Sequence, residues 1–221
     1  MSTGWEDRAD AWVAWARKPS HDAYWHYRDA FFELLPPPDG RHALEIGCGE
    51  GRVCRDLRAR GYGILGVDAS PSLVAAAAGA DPSGEYVVGT AEALPFAAAK
   101  FELVIAYNAL MDVDDMPRSV SEAARVLRPG GHFCACVVHP FLEAGEWTSP
   151  DDDASFVVER SYFAERAYEE TFARDGLTFT FNSRSYPLEA YALAVERAGF
   201  VLEALRSLSG RCRRLGQRLE H

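Results

Sequence analysis

The sequence predicts an α/β fold in which a mostly parallel, twisted sheet lies between two layers of helices. Short apolar runs alternate with helical patterns from Arg41 onwards, which is the pattern of βαβ units. The run HFCACVV at residues 132–138 is almost continuously apolar, as expected of a strand that is covered on both faces. A glycine-rich turn follows the first apolar run. A chain of 221 residues is long enough for one such domain with insertions.

Turn and capping signals give the order of the elements. Two helical patterns precede the run PPPDG at residues 36–40, where proline ends the second helix, so we expect a helical cap over residues 1–35 and the main domain over residues 36–218. Gly61 is predicted to end the first helix of this domain, and Ser70 with Pro71 to begin the next. The predicted strands are residues 42–46, 64–67, 85–89, 103–107, 132–138 and 200–208, with later helices from Pro117 and over residues 187–198. A seventh strand is hard to find, because residues 209–218 are polar.

A long segment at residues 140–185 separates the fifth predicted strand from the last helix–strand pair. It is rich in aromatic residues and contains the alternating run LTFTF, so we expect at least one strand or hairpin in it. The segment follows the carboxyl end of a parallel strand, where such sheets bind ligands. We therefore predict a substrate lid, and its aromatic character favours a largely apolar or aromatic substrate.

Composition and charge exclude several classes of protein. The net charge of −10 argues against a broad basic face that binds nucleic acid, and the arginines between Arg206 and Arg218 are interpreted as a solvated tail. The five cysteines form no CxxC pair, so neither disulfides nor a metal site is expected. Without a signal peptide or a membrane-length apolar run, we expect a cytoplasmic monomer or homodimer that does not bind membranes, with residues 219–221 as a tag remnant.

The glycine-rich turn ALEIGCGEGR, at residues 43–52, admits more than one kind of ligand. A phosphate loop needs Gly-Lys-Ser/Thr, but Gly51 is followed by Arg52 and Val53. A dinucleotide fold needs a third glycine where Arg52 stands. Asp68 nevertheless ends the second predicted strand, where an acid binds ribose hydroxyls. The phosphate loop is therefore excluded, and the dinucleotide fold is weakened.

Further motifs follow the turn in order and spacing, namely GVDAS at residues 66–70, GTAEALPF at 89–96, FELVIAYNAL at 101–110 and VLRPGG at 126–131. With ExGxGxG at 45–51 they resemble the class I S-adenosylmethionine-dependent methyltransferases, and in particular the bacterial members that act on small molecules. The resemblance is close over residues 41–139. It implies a Rossmann-like three-layer sandwich, S-adenosyl-L-methionine as cofactor and a small-molecule acceptor that is methylated on oxygen, nitrogen or carbon.

The expected cofactor site lies along the first two strands. Bare backbone at Gly47, Gly49 and Gly51 is expected to leave room for the methionyl part, because a side chain there would occupy the ligand's place. Glu45 is expected to accept from the ammonium group of the cofactor, and Asp68 from both ribose hydroxyls. The further residues predicted at the cofactor are Arg28, Cys48, Ala69, Thr90, Ala91, Glu92 and Asn108.

The substrate side is defined by fewer signals. Tyr24, Met111 and Asp112 are predicted to contact the substrate. His139, at the end of the fifth predicted strand, is predicted to be a base that deprotonates the acceptor, with a purely structural histidine as the alternative. Because the sulfonium is already reactive, alignment of the reactants and exclusion of water can supply most of the catalysis.

Three other functions stay open from the sequence alone. An NAD-dependent oxidoreductase would share the glycine turn and Asp68. A methyltransferase acting on RNA or protein would share all of the motifs. A binding module would hold the cofactor without turnover.

Overall fold

The computed structural model describes residues 4–149, 151, 153–207 and the backbone of residues 217–218. Its main sheet contains five parallel strands, which are β1 (His42–Ile46), β2 (Gly63–Asp68), β3 (Glu85–Val88), β4 (Phe101–Tyr107) and β5 (Leu127–Cys136). Their order in the sheet is β3-β2-β1-β4-β5. The direction of the connections reverses between β1 and β4, and a crevice opens at the carboxyl ends of strands at such a switch point.

Helices cover both faces of this sheet. They are α1 (Ala9–Ala16), α2 (Tyr24–Phe32), α3 (Arg52–Ala59), α4 (Pro71–Ala80), α5 (Met116–Val126) and α6 (Leu188–Arg197). Successive residues of β4 enter different cores, since Leu103 and Ile105 pack with α2 and α3, whereas Val104 packs with α5. The predicted three-layer α/β sandwich is therefore confirmed.

Local signals in the sequence set the helix starts as predicted. The N–H of Leu73 donates to the Ser70 hydroxyl over 3.2 Å, which caps α4. The N–H of Arg118 donates to the Asp115 carboxylate over 2.9 Å, which caps α5. The helix begins at Met116, one residue before the predicted start at Pro117. Gly61 follows the end of α3 with a φ of 94°, a conformation that favours glycine.

The segment between β5 and α6 forms two antiparallel hairpins. The first pairs β6 (Gly145–Trp147) with β7 (Phe156–Val158), and the second pairs β8 (Arg166–Arg174) with β9 (Leu177–Ser185). The backbone of residues 217–218 forms β10 and adds to β8. The expected hairpin in this segment is therefore confirmed.

The last predicted strand is not found. Residues 200–207 form no strand, and Leu208 lies outside the described residues, as do the polar residues 209–216 and the predicted tag remnant at 219–221. Phe200 stacks on Phe133 with ring centroids 5.5 Å apart, but the following Val201 is 85% exposed. The run contains several apolar residues, but all of residues 201–207 are exposed. The prediction of a strand was therefore wrong for the described residues.

The N-terminal segment and the second hairpin pack against each other through aromatic rings. Phe179 of β9 lies 5.7 Å from Trp5, 5.1 Å from Trp12 and 4.8 Å from Phe181, measured between ring centroids. At the other end, the Glu6 carboxylate accepts from the Ser72 hydroxyl over 2.6 Å. The segment before α1 is thereby joined both to the hairpin and to the start of α4. Among the described residues, no helix is long and apolar enough to cross a membrane.

Replacing Phe179 with alanine should detach the second hairpin from α1. The side chain is only 2% exposed, and truncation of a buried phenylalanine usually lowers the free energy of unfolding by about 3–5 kcal/mol. Urea unfolding followed by tryptophan fluorescence measures the change. Phe163→Ala is the matched control, since Phe163 is 81% exposed and its loss should change stability by less than about 0.5 kcal/mol. Equal effects of the two substitutions would contradict the packing described above.

Candidate active site

A cavity of about 2350 Å³ opens at the carboxyl ends of the parallel strands. Its walls come from the glycine turn after β1, the loops after β2, β3, β4 and β5, the segment that contains α1, and both hairpins. Small-molecule sites usually measure roughly 300–1,000 Å³. The cavity therefore has room for two ligands side by side.

Asp68 joins the glycine turn to the end of β2. Its Oδ2 accepts from the N–H of Gly49 over 2.8 Å, and its Oδ1 accepts from the N–H of Ser70 over 2.9 Å. Burial raises the pKa of Asp68, and these backbone hydrogen bonds oppose the rise. Each carboxylate oxygen keeps a lone pair for a further donor in the cavity.

Glu45 is the second carboxylate at the turn, and it is 2% exposed. The Cys54 thiol donates to its Oε2 over 2.9 Å. Burial raises the pKa of Glu45 to about 8, and the nearby negative charge of Asp68 adds to the rise. Within the described part of the chain, no cationic side chain forms an ion pair with Glu45 or Asp68. The charge of Arg52 opposes the rise at Glu45 without forming an ion pair. Two desolvated carboxylates that lack an ion-pair partner fit a positively charged ligand such as S-adenosylmethionine.

A buried hydroxyl group supports the same fit. Tyr107, at the end of β4, is 6% exposed and lines the cavity. Its hydroxyl has no hydrogen-bond partner among the described residues. Because an unpaired buried hydroxyl is costly, a ligand with a polar group at this wall would supply the missing bond.

The glycines of the turn have a different role from the one expected. A Cβ atom at Gly47 would lie 2.6 Å from the Cβ of Ala109, and one at Gly51 would lie 2.9 Å from Ala77 and Tyr86. Both φ angles are positive, at 69° and 82°. The expectation that side chains here would fill the ligand's place is corrected, since protein atoms already occupy those positions. Gly51 does not line the cavity.

The loops after β2 and β3 bring four of the predicted cofactor residues to the cavity, namely Ala69, Thr90, Ala91 and Glu92. The carbonyl of Thr90 accepts from the N–H of Ala93 over 3.2 Å, which turns the chain at this point. The Oε1 atom of Glu92 accepts from the N–H groups of Asp114 and Asp115 over 2.9 and 3.2 Å. Glu92 thus ties the loop after β3 to the loop after β4.

Besides Gly51, two predicted site residues, Tyr24 and Arg28, do not line the cavity. The Tyr24 hydroxyl donates to Asp56 over 2.6 Å inside the core, and Arg28 donates to the same carboxylate over 3.1 Å. Tyr24 is therefore not positioned to contact a substrate. Arg28, which was predicted at the cofactor, instead forms an ion pair with Asp56.

Arg52 occupies the place at the wall that sequence reasoning gave to Arg28. Its guanidinium donates to Asp22 over 2.7 Å and lies 4.3 Å from the centroid of the Tyr24 ring. A cation in the first turn of a helix opposes the helix dipole, and that anomaly was the available signal. Trp5 and Trp12 also line the cavity, and their helical spacing in the sequence was the signal for a shared face.

The loop after β4 carries three of the predicted residues, Asn108, Met111 and Asp112, all of which line the cavity. The Ser183 hydroxyl, on β9, donates to Asp112 Oδ1, and the carbonyl of Met111 accepts from the N–H of Arg184 over 2.9 Å. Burial raises the pKa of Asp112 to about 7. The loop and the second hairpin are therefore joined beside the cavity.

His139 also lines the cavity, directly before the segment that forms the first hairpin. Its Nδ1 atom accepts from the N–H of Phe141 over 3.2 Å. In the neutral ring that bond assigns the proton to Nε2, so Nε2 faces a ligand as a donor. The predicted role as a base requires a lone pair at the same atom, and this hydrogen bond disfavours it.

Comparison with known proteins finds methyltransferases that are similar to this chain in sequence and in fold. The profile of a family described as "Methyltransferase domain" matches residues 44–135. The crystal structure of an S-adenosylmethionine-dependent methyltransferase from Mesorhizobium loti superposes with a TM-score of 0.66 and 26% sequence identity, and the match covers 83% of each chain.

Two curated relatives match about half of the chain. A malonyl-[acyl-carrier protein] O-methyltransferase from Enterobacter lignolyticus is 35% identical over 47% of this chain and 41% of its own length. A ubiquinone biosynthesis O-methyltransferase from Sinorhizobium medicae is 32% identical over 49% of this chain and 45% of its own length. The match therefore spans less than half the length of these relatives. Residues 44–135 thus match a methyltransferase domain, and over 83% of its length the chain shares the fold of an S-adenosylmethionine-dependent methyltransferase.

Proposed function

We propose that the protein binds S-adenosylmethionine at the glycine turn and methylates a small molecule held in the outer part of the same cavity. The observation that carries this proposal is the pair of desolvated carboxylates, Glu45 and Asp68, at the ends of neighbouring strands, neither of which forms an ion pair with a described residue. The volume of about 2350 Å³ supports a second ligand beside the cofactor.

The residues of the turn have distinct roles in this proposal. Asp68 accepts from the ribose hydroxyls, because two backbone N–H groups fix its orientation and leave lone pairs free. Glu45 accepts from the ammonium group, and the backbone of Cys48 and Gly49 lies along the methionyl part. The adenine end lies against Ala69 and the loop at residues 90–92, and Asn108 lies near the ammonium group. When bound, S-adenosylmethionine supplies an electrophilic methyl group on a positively charged sulfur.

The roof of the cavity would then exclude water and align the acceptor. Trp12 comes from α1, and Phe172 and Phe181 come from the second hairpin. His139 contacts the acceptor from the first hairpin side, with Nε2 as a donor. Met111 and Asp112 approach from the loop after β4. Alignment of this kind can account for most of the rate enhancement in a displacement at a reactive sulfonium.

A small acceptor agrees with the charge of the cavity. Carboxylates are frequent in its wall, and the protein has a net charge of −10, so a polyanion such as RNA would be repelled. The two relatives described above are O-methyltransferases by name. Their acceptors are not transferred to this chain, because the match covers only about half of it.

Replacing Asp68 with asparagine should weaken binding of S-adenosylmethionine by about 1–3 kcal/mol, since a charge-assisted hydrogen-bond acceptor is lost. Isothermal titration calorimetry measures the dissociation constant. Asp10→Asn serves as the control, because Asp10 is exposed on α1 and does not line the cavity. NAD is titrated in parallel. Binding of NAD without binding of S-adenosylmethionine would overturn the proposal.

Binding of S-adenosylmethionine should release protons at pH 7. Glu45, with a pKa of about 8, holds a proton in the free protein, and a cationic ligand favours its ionised form. The heat of binding is measured by calorimetry in phosphate and in Tris. The two heats differ in proportion to the number of protons released, because the two buffers take up a proton with different enthalpies. Glu45→Gln should reduce that number, whereas Glu33→Gln, at an exposed position after α2, should leave it unchanged. Equal release from all three proteins would show that Glu45 does not meet the ligand's charge.

A further inference from the structure

We propose that the methyl acceptor is a protonated amine with an aromatic body, and that Asp112 takes its proton before methyl transfer. This inference rests on the proposed methyltransferase function and names the substrate class and the proton acceptor of the same site. It depends on three features of the outer cavity, which are its aromatic wall, its charge and the position of Asp112.

The part of the wall that the two hairpins form is aromatic. Trp147 and Phe156 come from the first hairpin, and their ring centroids lie 5.2 Å apart. Tyr168, Phe172 and Phe181 come from the second hairpin, where the rings of Phe172 and Phe181 lie 5.7 Å apart. Aromatic faces bind flat apolar rings, and they also attract cations. The wall therefore suits a ring that carries a positive charge.

The charged residues of this wall are predominantly acidic. Several elements around the cavity contribute carboxylates, among them Asp114, Glu143, Glu146, Asp151 and Glu170.

The arginines among the described lining residues already have partners. Arg52 forms an ion pair with Asp22 over 2.7 Å. Arg174 donates to the carbonyl of Ser20, and Arg206 donates to the carbonyl of Leu205 over 3.0 Å. Carboxylates outnumber these arginines in the lining, so an ammonium group would be attracted into this cavity, whereas a carboxylate or phosphate acceptor would meet an excess of like charge.

Asp112 lines the cavity and is in contact with the second hairpin. It is close enough to Asp68 for the two charges to interact, and Ser183 of the second hairpin donates to its Oδ1. The Oδ1 atom is thus fixed, while Asp112 forms no ion pair with a described residue.

Four other groups face Asp112 from the elements packed around it. The charge of Arg8, before α1, favours its ionised form, and that of Asp68 disfavours it. The hydroxyls of Tyr168 on β8 and Tyr191 on α6 also interact with its charge. Burial is the largest effect and raises the pKa of Asp112 to about 7, which suits a group that must accept a proton near neutral pH.

The reaction balances with these groups alone. The ammonium nitrogen gives one proton to the Asp112 carboxylate and becomes a neutral amine with a lone pair. That lone pair forms the new carbon–nitrogen bond as the carbon–sulfur bond of the methyl donor breaks, and the bonding electrons stay on sulfur. The products are the methylammonium ion and S-adenosylhomocysteine, and Asp112 then returns its proton to solvent.

The test uses three probes that share one ring and differ in charge, namely tryptamine, tryptophol and indole-3-acetate. Each is titrated into the protein saturated with S-adenosylhomocysteine, and methyl transfer from labelled S-adenosylmethionine is measured for each. Tryptamine should bind roughly 10- to 100-fold more tightly than tryptophol, and indole-3-acetate should bind most weakly. Tryptamine should also be the preferred methyl acceptor.

The role of Asp112 is tested by the pH dependence of kcat/KM for tryptamine. The wild-type profile should fall at low pH as Asp112 gains a proton. Asp112→Asn should lower turnover roughly 100-fold or more at pH 7, and the remaining rate should rise with pH as the fraction of neutral amine increases. Ser183→Ala should move the low-pH limb upward, because the lost hydrogen bond favours the ionised carboxylate. His139→Ala should lower turnover without removing that limb, and Asp10→Asn should match the wild type.

Each outcome separates this inference from the function on which it rests. If S-adenosylmethionine fails to bind, the proposed methyltransferase function fails. If it binds but the protein prefers tryptophol or indole-3-acetate, or shows no saturable binding of tryptamine, the amine assignment is overturned. A uniform loss of rate in Asp112→Asn, with no recovery at high pH, would assign Asp112 a structural role and overturn its role as proton acceptor.

Discussion

The cavity depends on one carboxylate, Asp68, and on the backbone groups that hold it. The N–H of Gly49 in the glycine turn and the N–H of Ser70 before α4 both donate to it. The hydroxyl of Ser70 in turn donates to Glu6 in the N-terminal segment. Three segments that are distant in sequence thus meet at the end of β2. Charge-assisted bonds of this kind are directional, so they orient the carboxylate as well as stabilise it.

The same arrangement brings two buried carboxylates near each other, which is electrostatically unfavourable. Glu45 is buried near Asp68, and its pKa of about 8 means that the folded protein keeps a proton that the unfolded chain releases near pH 4.5. The free energy of unfolding therefore decreases as the pH rises from about 4.5 to 8, because the unfolded state gains more from ionisation over that window. A cationic ligand reverses this preference. Ligand binding and the protonation of the site are consequently linked.

The roof of the cavity is part of the hydrophobic core and not an appendage to it. Phe179 is buried among aromatic residues of the N-terminal segment, while its neighbour in the alternation, Phe181, lines the cavity. Ser183, two residues further along the same strand, reaches Asp112. One strand thus closes the core, lines the cavity and anchors a carboxylate, because alternate residues of β9 share a face. The shape of the outer cavity is for this reason tied to the stability of the second hairpin.

The sequence alone determined the parallel sheet, the helix starts and the residues around the glycine turn. These depend on local signals, such as the cap at Ser70, the apolar run at residues 132–138 and the ordered spacing of the motifs. The tertiary structure decided which side chains reach the cavity. Tyr24 and Arg28 of α2 both donate to Asp56 of α3 and do not line the cavity. Arg52 lines the cavity wall and donates to Asp22. The tertiary structure also decided that residues 200–207 form no strand. A strand must pair with the free edge of another strand, and the composition of a segment does not show whether such an edge lies beside it. Local pattern specifies an element, but the contacts between elements distant in sequence specify the site.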